Sequence, residues 1–331
     1  MGGRSSEHEI SLASARSVLE TLDRERYDAV TVQISRDGRW QLAPGGQAEL
    51  APAQASALPV PVNGSPPAAL ADVDVVFPIL HGPFGEDGTV QGLLELANVP
   101  YVGAGVAASA LCMDKDLFKA VMRDKGIPVT RSVTLREGEP VSNPFGYPVF
   151  VKPARLGSSV GVSKARTRDE LERGVALAFE HDDKVLVEEF IDGVEVECSV
   201  LGNRDPIASL PGEIVAHGFS GTDWYDYSAK YDEGGMELIV PPRLPDTAIE
   251  RVRALAVRSY IAADCEGMAR VDLFVRDGHI LVNELNTIPG FTSTSVYAKL
   301  FEASGIPYAE LLDRLIELAL ERHERRSRLR Y

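Results

Sequence analysis

The segment that most narrows the fold is Val73–Leu80, an apolar run that passes directly into His81-Gly82-Pro83-Phe84-Gly85-Glu86-Asp87-Gly88. A helix pattern follows, with Val90, Leu93, Leu94 and Ala97 on one face, and then a short strand pattern at Val99–Val102. Strand, glycine loop, helix and strand in that order predict a parallel sheet covered by helices. Open sheets of this kind receive ligands at the carboxyl ends of their strands, where His81 and the Gly85–Gly88 loop stand. A histidine there either donates a hydrogen bond to a small substrate or braces the loop. With no second ligand at suitable spacing, it is a poor metal candidate.

The same alternation shapes the start of the chain. Ile10, Leu12, Ala15, Val18 and Leu19 fall on one helical face, with Ser5 and Ser6 as candidate caps and Glu7 and Glu9 where a helix N-terminus favours negative charge. Ala29–Ile34 alternates Val30, Val32 and Ile34 as a strand does. A glycine turn ahead of a helix ordinarily has a strand before it, and here Gly2-Gly3 follows only Met1. The N-terminal sheet is therefore expected to be one strand short, with neighbouring N–H and C=O groups left to find other partners. From Ala43 to Ala69 six prolines and almost no charge predict a surface connection.

Beyond Gly103 the periodicities change. Asp114–Lys125 reads as a helix with Leu117, Phe118 and Val121 on its face, ended by Gly126 with Pro128 beyond. Tyr147–Lys152, the Gly157–Gly161 turn, Val162-Ser163, a helix at Leu171–Phe179 and a strand at Val185–Glu189 form a small mixed unit. Val194–Leu201, Glu213–Val215, Arg270–Val275 and His279–Glu284 are strands of a larger sheet, accompanied by helices at Thr247–Ala263 and Leu311–Leu320. Five arginines and two glutamates in Glu321–Tyr331 read as a solvated, frayed helix end.

Composition bounds the function. The 331 residues suffice for two or three domains. A net charge of −15 disfavours nucleic acid and anionic membrane as partners, and no apolar run is long enough to span a bilayer. Three cysteines without metal-ligand spacing fit a reducing cytoplasm.

The densest chemistry lies in the hairpin around Asp277-Gly278. Glu284 and Asn286, two apart on a strand, share a face. A two-residue turn would set Asp272 opposite Asn283, whereas a three-residue turn including His279 would set it opposite Glu284. Two carboxylates and an amide oxygen suit magnesium shared with phosphate, and an ordinary solvated hairpin explains the same letters. Arg270 shares the Asp272 face and can meet a negatively charged transferring group. Gly157-Ser158-Ser159-Val160-Gly161 can fold its N–H groups over phosphate oxygens, with Lys152 upstream as a cation; a simple hairpin turn is the plainer alternative. Residues 218–231, with Trp224, Tyr225, Tyr227 and Tyr231, read as a folded flap or as core-packing aromatics.

Taken together, these segments resemble the D-alanine–D-alanine ligases of the ATP-grasp superfamily. The matching stretches are Gly2–Ser11, His81–Thr89, Met113-Asp114-Lys115, Val151-Lys152-Pro153 with Gly157–Gly161, Ala229-Lys230-Tyr231, and Asn283–Thr287 through Pro289-Gly290-Phe291-Thr292 to Ser295. They span essentially the whole chain in the family's order.

The resemblance implies an α/β and α+β multidomain ATP-grasp fold. An N-terminal parallel-sheet, Rossmann-like substrate domain would occupy 1–103, a small central domain 104–188, and a C-terminal domain with the flap 189–331. It implies that Lys115, Lys152 and Ser159 meet ATP phosphates, Glu188 the adenine edge and Glu195 the ribose. Asp272, Glu284 and Asn286 would hold two Mg²⁺, with Mn²⁺ able to substitute, which favours the three-residue hairpin register. Glu7, Ser158 and Tyr231 match the triad that binds the first D-alanine. His81 and Lys230 match pocket residues, Ser295 contacts the second substrate's carboxylate, and Arg270 with the Gly290 N–H serves the oxyanion. Glu189 stands where close relatives often carry lysine.

The implied activity is ATP-dependent ligation of two D-alanines through D-alanyl phosphate for peptidoglycan precursor synthesis, by a cytoplasmic homodimer. Lys230-Tyr231 resembles dipeptide-forming members rather than those accepting D-lactate. A ligase for D-serine, D-lactate or another small acid is one alternative, and an impaired nucleotide-binding homologue another.

Overall fold

The computed structural model describes residues 1–42, 73–216 and 236–330. Lys230, Tyr231, the remainder of the expected flap and the proline-rich connection lie outside the described residues.

Near the N-terminus, α1 (His8–Thr21) buries Ser11, Ser14, Ala15 and Val18. Its N-cap residue, Glu7, makes no side-chain cap; just ahead of it Ser5 Oγ accepts the Glu7 N–H at 3.3 Å and donates to the His81 carbonyl at 2.6 Å. β1 (Val32–Ile34) and β2 (Trp40–Leu42) form an antiparallel hairpin, and Gly2 makes a parallel bridge to Ile34. The expected strand at 73–80 is an extended segment with one parallel bridge, Val76 to Tyr101. A cavity of ≈ 780 Å³ separates residues 28–34 from residues 73–80, and Met1, Ala15 and Val18 also line it. The Ser11 hydroxyl takes the Gly2 N–H at 2.7 Å and donates to the Ile79 carbonyl.

α2 (Thr89–Leu96) and α3 (Val106–Met113) lead into α4 (Lys115–Asp124). Asp114 caps α4 by accepting the Leu117 N–H, and Phe118 and Met122 are wholly buried on one face. Burying such side chains stabilises by about 1.5–3 kcal/mol each. The next sheet comprises β3 (Ser132–Arg136), β4 (Val149–Pro153), β5 (Ser163–Ala165) and β6 (Lys184–Glu189), in antiparallel order β3-β6-β4-β5. α5 (Arg168–Phe179) covers its back, where Val149, Val151, Val185 and Val187 are buried. Alternation leaves Phe150, Lys152, Leu186 and Glu188 on the opposite face.

The larger sheet contains β7 (Val194–Gly202), β8 (Ile207–Ala208), β9 (Gly212–Ala216), β10 (Met236–Ile239), β11 (Gly267–Arg276) and β12 (His279–Asn286). Its order is β10-β9-β7-β11-β12, with β8 also on β7. α6 (Asp246–Ala262) closes one side, while α7 (Val296–Ala303) and α8 (Tyr308–Ser327) pack with α1 and Ile79 around Phe291, Tyr297 and Phe301.

Two expectations are corrected here. The hairpin turn is the two-residue Asp277-Gly278, with φ of 49° and 75°, and Arg276 pairs His279. Asp272 nevertheless faces Glu284, because the ladder slips by one residue between Asp272 and Leu273. A bulge at Asn283, and not a longer turn, supplies the register. The arginine-rich end is largely solvated as expected but is not frayed. α8 runs to Ser327, and the buried Arg322 donates to the carbonyls of Gly103 and Tyr101.

Candidate active site

Two faces meet across a cleft. From the small sheet come Lys152 and Glu188; from the large sheet come Glu195 and Glu197 on β7, Arg270 and Asp272 on β11, and Glu284 and Asn286 on β12. The pairings Asp272↔Glu197, Phe274↔Glu195 and Asp272↔Glu284 set these side chains on a common face.

Charge is densely compensated. Glu188, 2% exposed, receives Lys152 Nζ at 2.7 Å and also Lys119 Nζ. Burial alone would raise the Glu188 pKa, yet the two ammonium groups pull it down to about 2. Lys119, fully buried and itself lowered to about 8 mainly by desolvation, also bonds Thr130. Lys152 reaches the bulged Asn283 Oδ1 at 3.4 Å. Lys115, at the start of α4, lies 3.5 Å from Glu284 and donates to the Leu156 carbonyl at 2.8 Å. Lys115 and Lys152 thus stand on one wall, with Lys119 wholly buried behind Glu188.

On the opposite wall Arg270 is held bidentate by Asp272, both contacts at 2.7 Å, and lies 2.9 Å from Glu197. Asn286 Nδ2 donates to Asp272 at 3.1 Å. Asp272, Glu284 and Asn286 fit a hard divalent cation: three oxygen-bearing side chains share one face. Two of their charges are covered by cations that a metal would displace, and the Asn286 amide needs only to turn over to present its oxygen.

Glu7 stands at the far end of the cleft. Ser158, at φ 51°, donates its hydroxyl to Glu7 Oε1, drawing the 157–161 turn over the acid. Gly82 lies against Glu7 from below: its φ is +74°, and a Cβ there would collide with Glu7 Oε2. Glu86 accepts the Gly82 N–H at 2.7 Å and the Ile288 N–H at 3.3 Å. Desolvation, reinforced by Glu7, raises its pKa to about 8. Ser295 caps the 292–295 turn, accepting the Thr292 N–H at 3.0 Å beside Gly290.

His81 is 4% exposed, and both ring nitrogens are engaged within the protein. Nδ1 meets the Ile288 carbonyl at 3.0 Å and Nε2 meets Ser14 Oγ at 3.1 Å. The loop-bracing alternative therefore describes its contacts. Ser159 forms the turn through its carbonyl, which accepts from Val162 N at 3.2 Å. Glu189 pairs with Arg131 at 2.6 Å. Sequence reading missed Lys119, Glu197, Glu86 and Ser14. Lys119 is four residues from Lys115 on one helix and Glu197 two from Glu195 on one strand, so same-face spacing carried a signal for both.

A family model described as the D-ala D-ala ligase N-terminus matches residues 1–104, and one described as the D-ala D-ala ligase C-terminus matches 121–317. The chain belongs to the D-alanine–D-alanine ligase family. It is 47% identical over 336 residues to a D-alanine–D-alanine ligase of Solibacter usitatus, covering 100% of this chain and 97% of that one. To D-alanine–D-alanine ligase A of Escherichia coli it is 44% identical over 351 residues, covering 97% and 94%.

Among solved structures, the D-alanine–D-alanine ligase from Coxiella burnetii superposes with a TM-score of 0.86 at 40% identity, covering 98% and 94%. The VanG D-Ala:D-Ser ligase from Enterococcus faecalis gives 0.82 at 37%, covering 96% and 97%. The ligase family and the two-sheet cleft establish the ATP-grasp fold class for this chain.

Proposed function

We propose that this enzyme joins two D-alanine molecules to D-alanyl-D-alanine, with ATP as cosubstrate and an acyl phosphate between the two chemical steps. The observation that carries this reading is one run of contacts: Lys152 meets Glu188 and Asn283, Lys115 meets Glu284 and the Leu156 carbonyl, and Ser158 of the adjoining turn bonds Glu7.

Its parts divide the work. Lys115, Lys152 and the 157–161 turn bind the ATP phosphates; Glu188 and Glu195 hold the nucleoside. Asp272, Glu284 and Asn286 hold magnesium, two ions in the full assignment, with manganese able to substitute. A metal held there would supply charge neutralisation for phosphoryl transfer. Glu7, bonded by Ser158, receives the ammonium of the first D-alanine and aims its carboxylate at the γ-phosphate. Lys230 and Tyr231 are assigned to the same pocket. One carboxylate oxygen forms a bond to phosphorus, the bond from phosphorus to the β,γ-bridging oxygen breaks, and ADP leaves. The second D-alanine, its carboxylate at Ser295, attacks the acyl carbonyl through its amine. The oxyanion meets Arg270 and the Gly290 N–H, and phosphate departs as the amine sheds its proton. Holding the reactants in line and meeting developing charge are the main demands of both steps.

Domain boundaries near residues 103 and 188, a homodimer and a cytoplasmic place in peptidoglycan precursor synthesis belong to the same proposal. Among the described residues no helix is long and apolar enough to cross a membrane. D-alanine is assigned as second substrate over D-serine or D-lactate.

Carboxylate-¹⁸O-labelled D-alanine tests the path. One ¹⁸O should appear in phosphate for every dipeptide formed; phosphate free of label would rule out the acyl phosphate. With D-alanine, D-serine and D-lactate offered together, D-alanyl-D-alanine should dominate, and a majority of D-alanyl-D-serine would move the assignment to that product.

A further inference from the structure

The loop at 288–293 carries the Gly290 N–H, and α1 grips it by two hydroxyls one turn apart. Phe291 N–H donates to Ser14 Oγ at 3.3 Å and Ser293 N–H donates to Ser17 Oγ at 3.0 Å. Tyr308 holds the Phe291 carbonyl at 2.8 Å. Among the described residues nothing accepts from the Gly290 N–H, so the loop's neighbouring N–H groups are tied down while this one is left for a ligand.

We propose that Ser14 is a positioning residue that, together with His81, sets the oxyanion-binding posture of the Gly290 loop, an inference that rests on the ligase reading above.

Proton placement in this relay follows from donor and acceptor inventory. The Ile288 carbonyl can only accept, so the His81 nitrogen facing it at 3.0 Å, Nδ1, carries hydrogen. A neutral ring then leaves Nε2 bare, and it must accept from the Ser14 hydroxyl 3.1 Å away. Burial keeps the ring neutral, lowering its pKa to about 4 against the opposing effect of the Ile288 bond. The Ser14 oxygen, having given its hydrogen to His81, offers its lone pairs to Phe291 N–H. One hydroxyl and one imidazole thereby fix both sides of Gly290: the carbonyl at 288 and the N–H at 291. Glu86 adds a third tie at Ile288 N.

Ser14 is wholly buried and four residues from Val18 in the shared core, so it couples α1, whose first turn follows Glu7, to the loop that meets the second step. Removing the hydroxyl leaves the fold's apolar contacts, the Tyr308 bond and the Ser17 bond in place but frees the Phe291 N–H next to Gly290 and the Nε2 of His81. The second step then slows relative to hydrolysis of the acyl phosphate.

The test compares wild type, Ser14→Ala and Ser17→Ala in the full-length enzyme with ATP, magnesium and D-alanine. Wild type should give one ADP per dipeptide. Ser14→Ala should lose about ten- to a hundredfold in dipeptide rate and release excess ADP per dipeptide, with KM for ATP within about twofold of wild type. In ¹⁵N-histidine spectra, His81 should be the Nδ1–H form, with Nε2 displaced by Ser14→Ala and unmoved by Ser17→Ala. A Ser14→Ala enzyme with wild-type rate and coupling, or a wild-type His81 protonated at Nε2 alone, overturns the proposal. If wild type makes no dipeptide, the ligase reading fails by itself, and the histidine spectra decide the relay.

Discussion

Arg270 shows how one residue serves structure and chemistry together. Its guanidinium, mostly buried, lies against Asp272 at 2.7 Å and Glu197 at 2.9 Å. Under the proposed mechanism truncation removes an oxyanion donor, and it also leaves buried carboxylates without their cation, so activity and stability should both fall. Arg270→Lys separates the effects. It keeps the positive charge but not the fork, and should lower kcat by about 10²–10³ with a melting temperature near wild type. Arg270→Ala should show a comparable or greater loss of kcat and a clearly lower melting temperature. Steady-state turnover alongside thermal unfolding checks both; near-normal turnover by either variant contradicts the assigned role.

The same scale explains why some site residues were readable and others were not. Glu284 and Asn286 were visible from strand parity, whereas Asp272 joins them only through the bulge at Asn283, which parity does not register. Lys119 and Ser14 sit inside helical patterns where a lysine or serine usually signals a solvated face, and only tertiary packing turns them inward.

At the scale of elements, the β11–β12 hairpin reaches the expected pairing by an unexpected route. Asp277-Gly278 adopts the positive-φ two-residue turn that its letters favour. The bulge then slips the ladder, so Asn283 reaches Lys152 while Glu284 faces Asp272 and Lys115. Local turn chemistry was legible; a bulge, set by cross-strand packing, carries no comparably local signature.

The 81–88 loop makes its own prediction. At Gly82 a side chain meets both a left-handed backbone and the Glu7 carboxylate. Gly82→Ala should strain the loop by about 1–2 kcal/mol and push Glu7 aside. KM for D-alanine should rise about tenfold or more while KM for ATP stays near wild type, as measured by initial rates varying each substrate. Equal changes in both constants would contradict the separation of the two sites.

Across the whole molecule, function depends on three layers meeting. The small sheet brings Lys152 and Glu188, α4 brings Lys115 and Lys119, the large sheet brings carboxylates and Arg270, and the N-terminal unit adds Glu7, Gly82 and the Ser14–His81 tie. Arg322 of α8, buried and bonded to the carbonyls of Tyr101 and Gly103, fastens the end of the chain to the N-terminal unit. Charge and composition suggested a frayed tail because they do not register long-range contacts. The N-terminal strand–loop–helix order was legible, but among the described residues the parallel sheet it predicted is present only as two isolated bridges, Gly2 to Ile34 and Val76 to Tyr101, beside an antiparallel hairpin. The large negative charge is likewise compatible with an anionic cosubstrate, since Lys115, Lys152 and Arg270 stand among the site's carboxylates as cations that phosphate oxygens can engage.

The most direct measurement is product formation by the purified full-length chain with ATP, magnesium and D-alanine as the sole amino acid. The expected result is D-alanyl-D-alanine identified by mass, with ADP and phosphate each formed in equal amount. ATP turnover that does not depend on D-alanine, or D-alanine-dependent ADP release without any dipeptide, would contradict the account.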